Sequence, residues 1–183
     1  MRETFLIGAG IATLLLAGCK GDGDDAPPFC QAIGGGGAVA TETCDANCNQ
    51  EHIGASVDAN FRSYATIGVS VQSQGTLRGT AQDGLVFTGP AGVYVHKPPL
   101  VNGGSFDLTI TTYLDGVPQE TQLAYNESVG SDNTFCNYCG EDGPNNFYGI
   151  PTNLPFDAIE MSYTQAAGTQ YREIRVFEFC VLD

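Results

Sequence analysis

Apolar and polar positions alternate cleanly from Ser105 to Leu114 (SFDLTITTYL). Phe106, Leu108, Ile110 and Leu114 fall on one side with Thr112 among them, and Asp107, Thr109, Thr111 and Tyr113 fall on the other. A period of two is the mark of a half-buried β-strand. Asp115-Gly116 follows at once, a two-residue hairpin signal, and Val117 to Tyr125 reads as the returning partner. Ala65 to Gln72 alternates as well, with Ile67, Val69 and Val71 on one face; Gly75 to Ala81, Leu85 to Thr88, Gly92 to His96 and Phe156 to Thr164 are further strand candidates. Tyr171 to Leu182 is apolar on both faces, Ile174, Val176 and Leu182 against Phe177, Phe179 and Val181, as a central strand would be. No stretch carries a helical period of useful length, apart from a short turn within Ala46 to Arg62. About eight antiparallel strands, with 24 glycines and nine prolines to turn between them, predict one all-β domain, a β-sandwich or jelly roll.

The N-terminus breaks this pattern. Phe5 to Ala17 is a 13-residue apolar run behind Met1-Arg2, closed by Leu16-Ala17-Gly18-Cys19. As a helix the run would span about 20 Å, short of the roughly 30 Å of bilayer hydrocarbon, so a cleaved signal fits better than a permanent span. The last four residues resemble the lipobox of bacterial lipoprotein signal peptides at every position. That resemblance implies a signal peptide over residues 1–18 and lipid (a diacylglyceryl thioether and an N-acyl chain, palmitate among them) on Cys19. It also implies a membrane anchor. Lys20, standing where an aspartate would mark inner-membrane retention, points to the outer membrane. Lys20 to Pro28 (KGDGDDAPP) holds no apolar anchor and reads as a flexible tether over residues 19–28, leaving residues 29–183 as the sandwich domain.

Charge narrows the partners. Twenty-one acidic against seven basic residues give a net charge of −14, and Pro98 to Tyr171 holds no Lys or Arg at all. Such a surface repels phosphate backbones and excludes nucleic acid as a partner. Acidic adaptation to a salty medium and collection of Ca²⁺ both fit the same composition.

Seven cysteines become six once Cys19 is assigned to lipid: Cys30, Cys44, Cys48, Cys136, Cys139 and Cys180. An even number in an exported domain predicts three disulfides, with Cys30 near the start of the fold joined to Cys180 near its end. Two local pairs offer alternatives: Cys44-x₃-Cys48 with Cys136-x₂-Cys139 as a four-thiolate zinc site, or Cys136-x₂-Cys139 as a redox pair. Gly140 stands where c-type haem attachment would need histidine.

Two stretches resemble galactose-binding-like jelly rolls of exported bacterial proteins: the hairpin LTITTYLDGVPQET (Leu108 to Thr121), and the ending LPFDAIEMSY with REIRVFEFCVLD. The resemblance implies the fold. It assigns no ligand role to any residue here.

The richest candidate loop is Ser131 to Pro151. It gathers Asp132, Asn133, Asn137, Glu141, Asp142, Asn145 and Asn146 with Tyr138, Phe147 and Tyr148. Planar amides for hydroxyls and aromatic faces for C–H surfaces suit a glycan, with Asn137, Tyr138, Asn145, Asn146 and Tyr148 as the ligand-binding set. The oxygens of Asp132, Glu141 and Asp142 suit a structural calcium. A disulfide-pinned turn whose aromatics cap the core is the plainer alternative. No other cofactor is expected. His52 and His96 belong to no HExxH or GxSxG constellation, so no catalytic residue is assigned. The expectation is a non-enzymatic, lipid-anchored envelope protein that binds glycan or matrix components. The alternatives are an accessory subunit of an envelope complex and a carboxylate-based hydrolase.

Overall fold

The computed structural model describes residues 30–34, 38–45, 48–70, 72–96, 105–128, 135–136, 138–142, 145–167 and 172–182. In chain order the strands are β1 (Gln31–Ala32), β2 (Val39–Cys44), β3 (Cys48–Glu51), β4 (Ala65–Val69), β5 (Gln74–Thr80), β6 (Ala91–His96) and β7 (Ser105–Leu114). They continue as β8 (Val117–Ser128), β9 (Phe135–Cys136), β10 (Tyr138–Asp142), β11 (Asn145–Ile150), β12 (Ala158–Ala167) and β13 (Arg172–Val181). A 3₁₀ turn, Ile53–Ser56, lies in the segment read as turn-forming.

The strands form two antiparallel sheets. One runs β10-β11-β6-β13-β4-β3, with β1 also paired to β13; the other runs β2-β5-β12-β7-β8-β9. Packed face to face they make the predicted β-sandwich, and Ile67, Val93, Leu77, Leu108, Ile110, Met161 and Tyr163 fill its interior at 0 % exposure. The predicted hairpin is present: β7 and β8 pair from Leu114↔Val117 onward. Its turn places Asp115 at φ 50° and Gly116 at φ 76°. Two successive positive φ values match the twist of a tight hairpin.

Several sequence expectations change. Among the described residues thirteen strand segments replace about eight; the polar β2, for one, holds its place by pairing with β5 rather than by a buried face. Leu85 to Thr88 is not a strand: only Phe87 bridges, to Phe156, while Leu85 and Val86 are 47 % and 53 % exposed. The faces of β13 also differ. Val176 pairs with Val95 and Glu178 with Tyr94, so Phe177 is an extra residue, a β-bulge. The bulge reverses the alternation: Ile174, Val176, Phe179 and Val181 pack inward, while Cys180 and Leu182 join Tyr94 and Phe147 in a second cluster on the other face. Phe61 and Phe177 cover that second cluster, so β13 is buried on both sides.

The strand directions give the sandwich two distinct poles. Cys30, Pro90, Pro151, Asp115-Gly116 and Leu182 lie at one, since Gln31↔Val181, Ala91↔Val181, Ile150↔Ala91 and Ala158↔Tyr113 all pair there. Cys44, Gln74, His96 and Asn145 lie at the other.

Candidate functional site

The outer face of the β2–β8 sheet carries an unusual concentration of hydroxyls. With Leu77, Ile110 and Met161 turned into the core, alternation sends their neighbours outward. Register aligns Thr41, Arg78, Glu160, Thr111 and Thr121 in one row and Thr43, Thr76, Ser162 and Thr109 in the next. The rows are cross-linked. Thr43 bonds Thr76, the Gln74 amide donates to Ser162, and the Thr111 and Thr121 hydroxyls meet at 3.0 Å. Arg78 donates to Glu160 Oε2 through Nε (2.9 Å) and Nη2 (2.7 Å) and lies 3.6 Å over the Tyr113 ring, whose hydroxyl donates to Glu160 Oε1 at 3.0 Å. Burial, then the Glu160 charge, pushes the Tyr113 hydroxyl pKa up, so it stays a donor.

At the Cys44 pole this face dips into an open depression of about 370 Å³, lined by Thr43, Cys44, Asp45, Gln74 and Thr76. Its rim is held on two sides. The Cys44–Cys48 disulfide closes the β2–β3 turn, and Asp45 Oδ2 accepts the Gln74 backbone N–H at 2.8 Å. Hydroxyls, an amide and a carboxylate beside a sulfur wall suit a small hydroxylated ligand. Asp45 is the single carboxylate among these lining residues, whereas glycoside hydrolysis needs two facing ones.

Ser131 to Pro151 is not one loop, for β9, β10 and β11 run through it. Asn145 and Asn146 are half-buried on β11. The Asn145 amide is fixed, with Nδ2 donating to the Tyr94 hydroxyl at 3.2 Å and Oδ1 accepting from His96 Nδ1 at 3.2 Å. Phe147 (0 % exposed) and Tyr148 (3 %) are core side chains, and the Tyr148 ring sits 4.2 Å from that of Tyr125. Tyr148 therefore turns no open ring face to solvent. Tyr138, Glu141 and Asp142 belong to β10, and their side chains lie outside the described residues, as do Asp132, Asn133 and Asn137 altogether. No group of three or more His, Cys, Asp or Glu side chains gathers for a metal among the described residues.

Cysteine chemistry is structural. Cys30 pairs with Cys180 as expected, Cys44 with Cys48, and Cys139 is also disulfide-bonded. The four-thiolate zinc alternative falls, because Cys44 and Cys48 are bonded to each other and offer no thiolate. The redox alternative falls too: Cys136 and Cys139 lie on strands β9 and β10, not at the helix N-terminus that would activate a thiol.

Sequence reading misses the depression, although Gln74-x-Thr76-x-Arg78 opposite Gly75, Leu77 and Gly79 signals a polar strand face. It also passes over Glu178, an acid inside the apolar run IRVFEFCVL. Glu178 is fully buried; Oε2 accepts the Ala59 N–H at 2.7 Å and Oε1 has no partner. Burial raises its pKa to about 8, with the nearby Asp58 charge pushing the same way.

No protein-family model matches the chain, and no curated protein sequence does. Solved structures with a similar arrangement include several carbohydrate-binding modules. The family 32 module of C. perfringens NanJ, in complex with galactose, is 14 % identical and has a TM-score of 0.46, over 83 % of this chain and 98 % of that one. Another family 32 module, from a Clostridium perfringens family 31 glycoside hydrolase, is 9 % identical with a TM-score of 0.48, over 84 % and 94 %. A pectin-binding module is 10 % identical with a TM-score of 0.42, over 83 % and 91 %. No residue role is carried across from them.

Proposed function

We propose that the chain is a non-catalytic glycan-binding module, lipid-anchored through Cys19 at the outer membrane. The observation that carries the binding reading is the hydroxyl- and amide-lined depression at Thr43, Cys44, Asp45, Gln74 and Thr76. It opens onto an outer face of ordered hydroxyls and lies at the pole opposite Cys30, where the tether enters. A ligand held there is presented about 20 Å away from the anchor side, roughly the length of β5. Asn145 and Asn146 on β11 are a second polar surface at the same pole, and Asn137 and Tyr138 remain its proposed companions from the sequence. Structural calcium is proposed on Asp132, Glu141 and Asp142.

A glycan array probed with the intact lipoprotein in detergent tests the reading. Binding to a defined glycan class that weakens at least tenfold in Gln74→Ala supports it. A silent array, together with an envelope protein that co-purifies stoichiometrically, overturns it in favour of the accessory-subunit role. Loss in Asn146→Ala with Gln74→Ala unaffected moves the ligand to the β11 surface. A chelator that lowers thermal stability in the parent but not in Glu141→Gln/Asp142→Asn supports the calcium.

A further inference from the structure

Seven large apolar side chains are exposed among the described residues, and five of them lie at one pole. Val39 (44 %), Leu85 (47 %), Val86 (53 %), Val117 (59 %) and Leu154 (44 %) lie at the end where Cys30 admits the N-terminal segment. Only Tyr64 and Leu123 lie elsewhere. The five come from four separate segments that the fold brings to this end. Val39 opens β2, where it pairs with Thr80; Leu85 and Val86 precede the Phe87–Phe156 bridge; Val117 follows the hairpin turn; Leu154 sits in the β11–β12 connection. Two carboxylates at this pole are turned to the backbone, while Asp83 and Asp115 are exposed at its rim. Asp157 Oδ2 accepts the Asp115 N–H at 2.9 Å and Glu120 Oε2 accepts the Asn153 N–H at 2.9 Å.

The geometry points to this pole as a membrane-contacting surface whose partner is the zwitterionic lipid surface that holds the anchor. This inference rests on the lipid-anchor reading of Cys19. The length of chain outside the described domain fixes the occupant: ten residues separate Cys19 from Cys30. Read from its Gly, Asp and Pro composition as a tether, a segment of that length would have a root-mean-square reach of about 15–20 Å and would hold this pole against the bilayer. Isolated apolar side chains are ordinary on a surface, but a gathering of them marks an interaction site. The net charge of −14 opposes an anionic bilayer, so the lipid is zwitterionic and the contact apolar, insensitive to salt.

The chain has no tryptophan, so a single one reports its own position. Lipidated Val117→Trp and Leu154→Trp, reconstituted in phosphatidylcholine–phosphatidylethanolamine vesicles, should lose most of their emission to bromine-labelled lipid. Leu123→Trp and Tyr64→Trp should keep theirs, and all four should retain the thermal transition of the parent. Equal, unquenched emission from all four while the protein still floats with vesicles overturns the surface and leaves the anchor intact. Shielding of Val117→Trp from acrylamide without quenching by brominated lipid means that another protein copy covers the pole, which also overturns it. Failure of the parent to float with vesicles overturns the anchor reading itself, and the inference with it.

Discussion

Glu178 and Ala59 stand 119 residues apart in sequence and meet through a 2.7 Å hydrogen bond, from the Ala59 N–H to Glu178 Oε2. The bulge at Phe177 sets Glu178 opposite Tyr94, under the segment that follows the 3₁₀ turn. A β-strand irregularity thus becomes a clamp: the extra residue brings an acid to a position where it ties down the segment covering the second apolar cluster.

The pKa of Glu178, raised from 4.5 to about 8, gives this clamp a pH dependence. The folded state holds the proton more tightly than the unfolded chain does. The associated stability is therefore fully present below about 4.5 and is lost as pH rises through about 8, at about 1.4 kcal/mol per pH unit within that window. Denaturant titrations of Glu178→Gln between pH 5 and pH 9 should show that slope reduced by one proton's worth, with the variant more stable than the parent at the alkaline end. Parallel profiles for the two proteins would refute a protonated Glu178.

Gly116, at φ 76° with no heavy atom within 4 Å of the point a Cβ would occupy, isolates backbone strain from packing. Gly116→Ala should cost about 1–2 kcal/mol, the penalty of a left-handed L-residue. Gly54, equally uncrowded but without a positive φ, is the control: Gly54→Ala should leave the denaturation midpoint of the parent unchanged or slightly raised.

The hairpin is legible in sequence because its signals agree: alternation, then a turn pair that accepts positive φ, then alternation again. β2 is illegible for a physical reason. Val39–Cys44 is exposed along nearly its whole length and holds its place by pairing with β5, which leaves no buried side to imprint a period. The bulge at Phe177 is hidden because Phe177, Phe179 and Val181 are all apolar, so a reversal of faces changes no hydrophobic pattern. β11 reads as loop because Asn145, Asn146 and Gly149 are turn formers, yet Gly149 faces Gly92 beneath the Phe147 ring, a close approach that a Cβ would block. In the candidate site, the hydroxyl rows look in sequence like any solvated strand face. Only register across five strands assembles them.

Arg78, Glu160 and Tyr113 couple three neighbouring strands, β5, β12 and β7, on that face. The two carboxylate bonds and the ring stacking need a planar guanidinium, so Arg78→Lys should not substitute. A double-mutant cycle of Arg78→Ala with Tyr113→Phe and with Tyr113→Leu separates the parts. Coupling of about 0.5–1 kcal/mol in the Tyr113→Leu cycle that is absent from the Tyr113→Phe cycle, where the ring is kept, assigns it to stacking. Coupling already present in the Tyr113→Phe cycle, which removes only the hydroxyl, assigns it to the shared Glu160 carboxylate instead.

The Cys30–Cys180 and Cys44–Cys48 disulfides act on loops of very different size, with sequence separations of 150 and 4. In the chain-entropy account, closing the large loop is worth about 5 kcal/mol and closing the small one about 2 kcal/mol. The Cys30→Ala/Cys180→Ala protein should therefore unfold at much lower denaturant than the Cys44→Ala/Cys48→Ala protein. The short bridge has a different consequence, because it closes the turn beside the depression. Its removal should weaken any glycan bound there more than it lowers the denaturation midpoint, while loss of Cys30–Cys180 should do the reverse. If both bridges change stability and binding in the same proportion, the short disulfide is an ordinary staple and the depression does not depend on it.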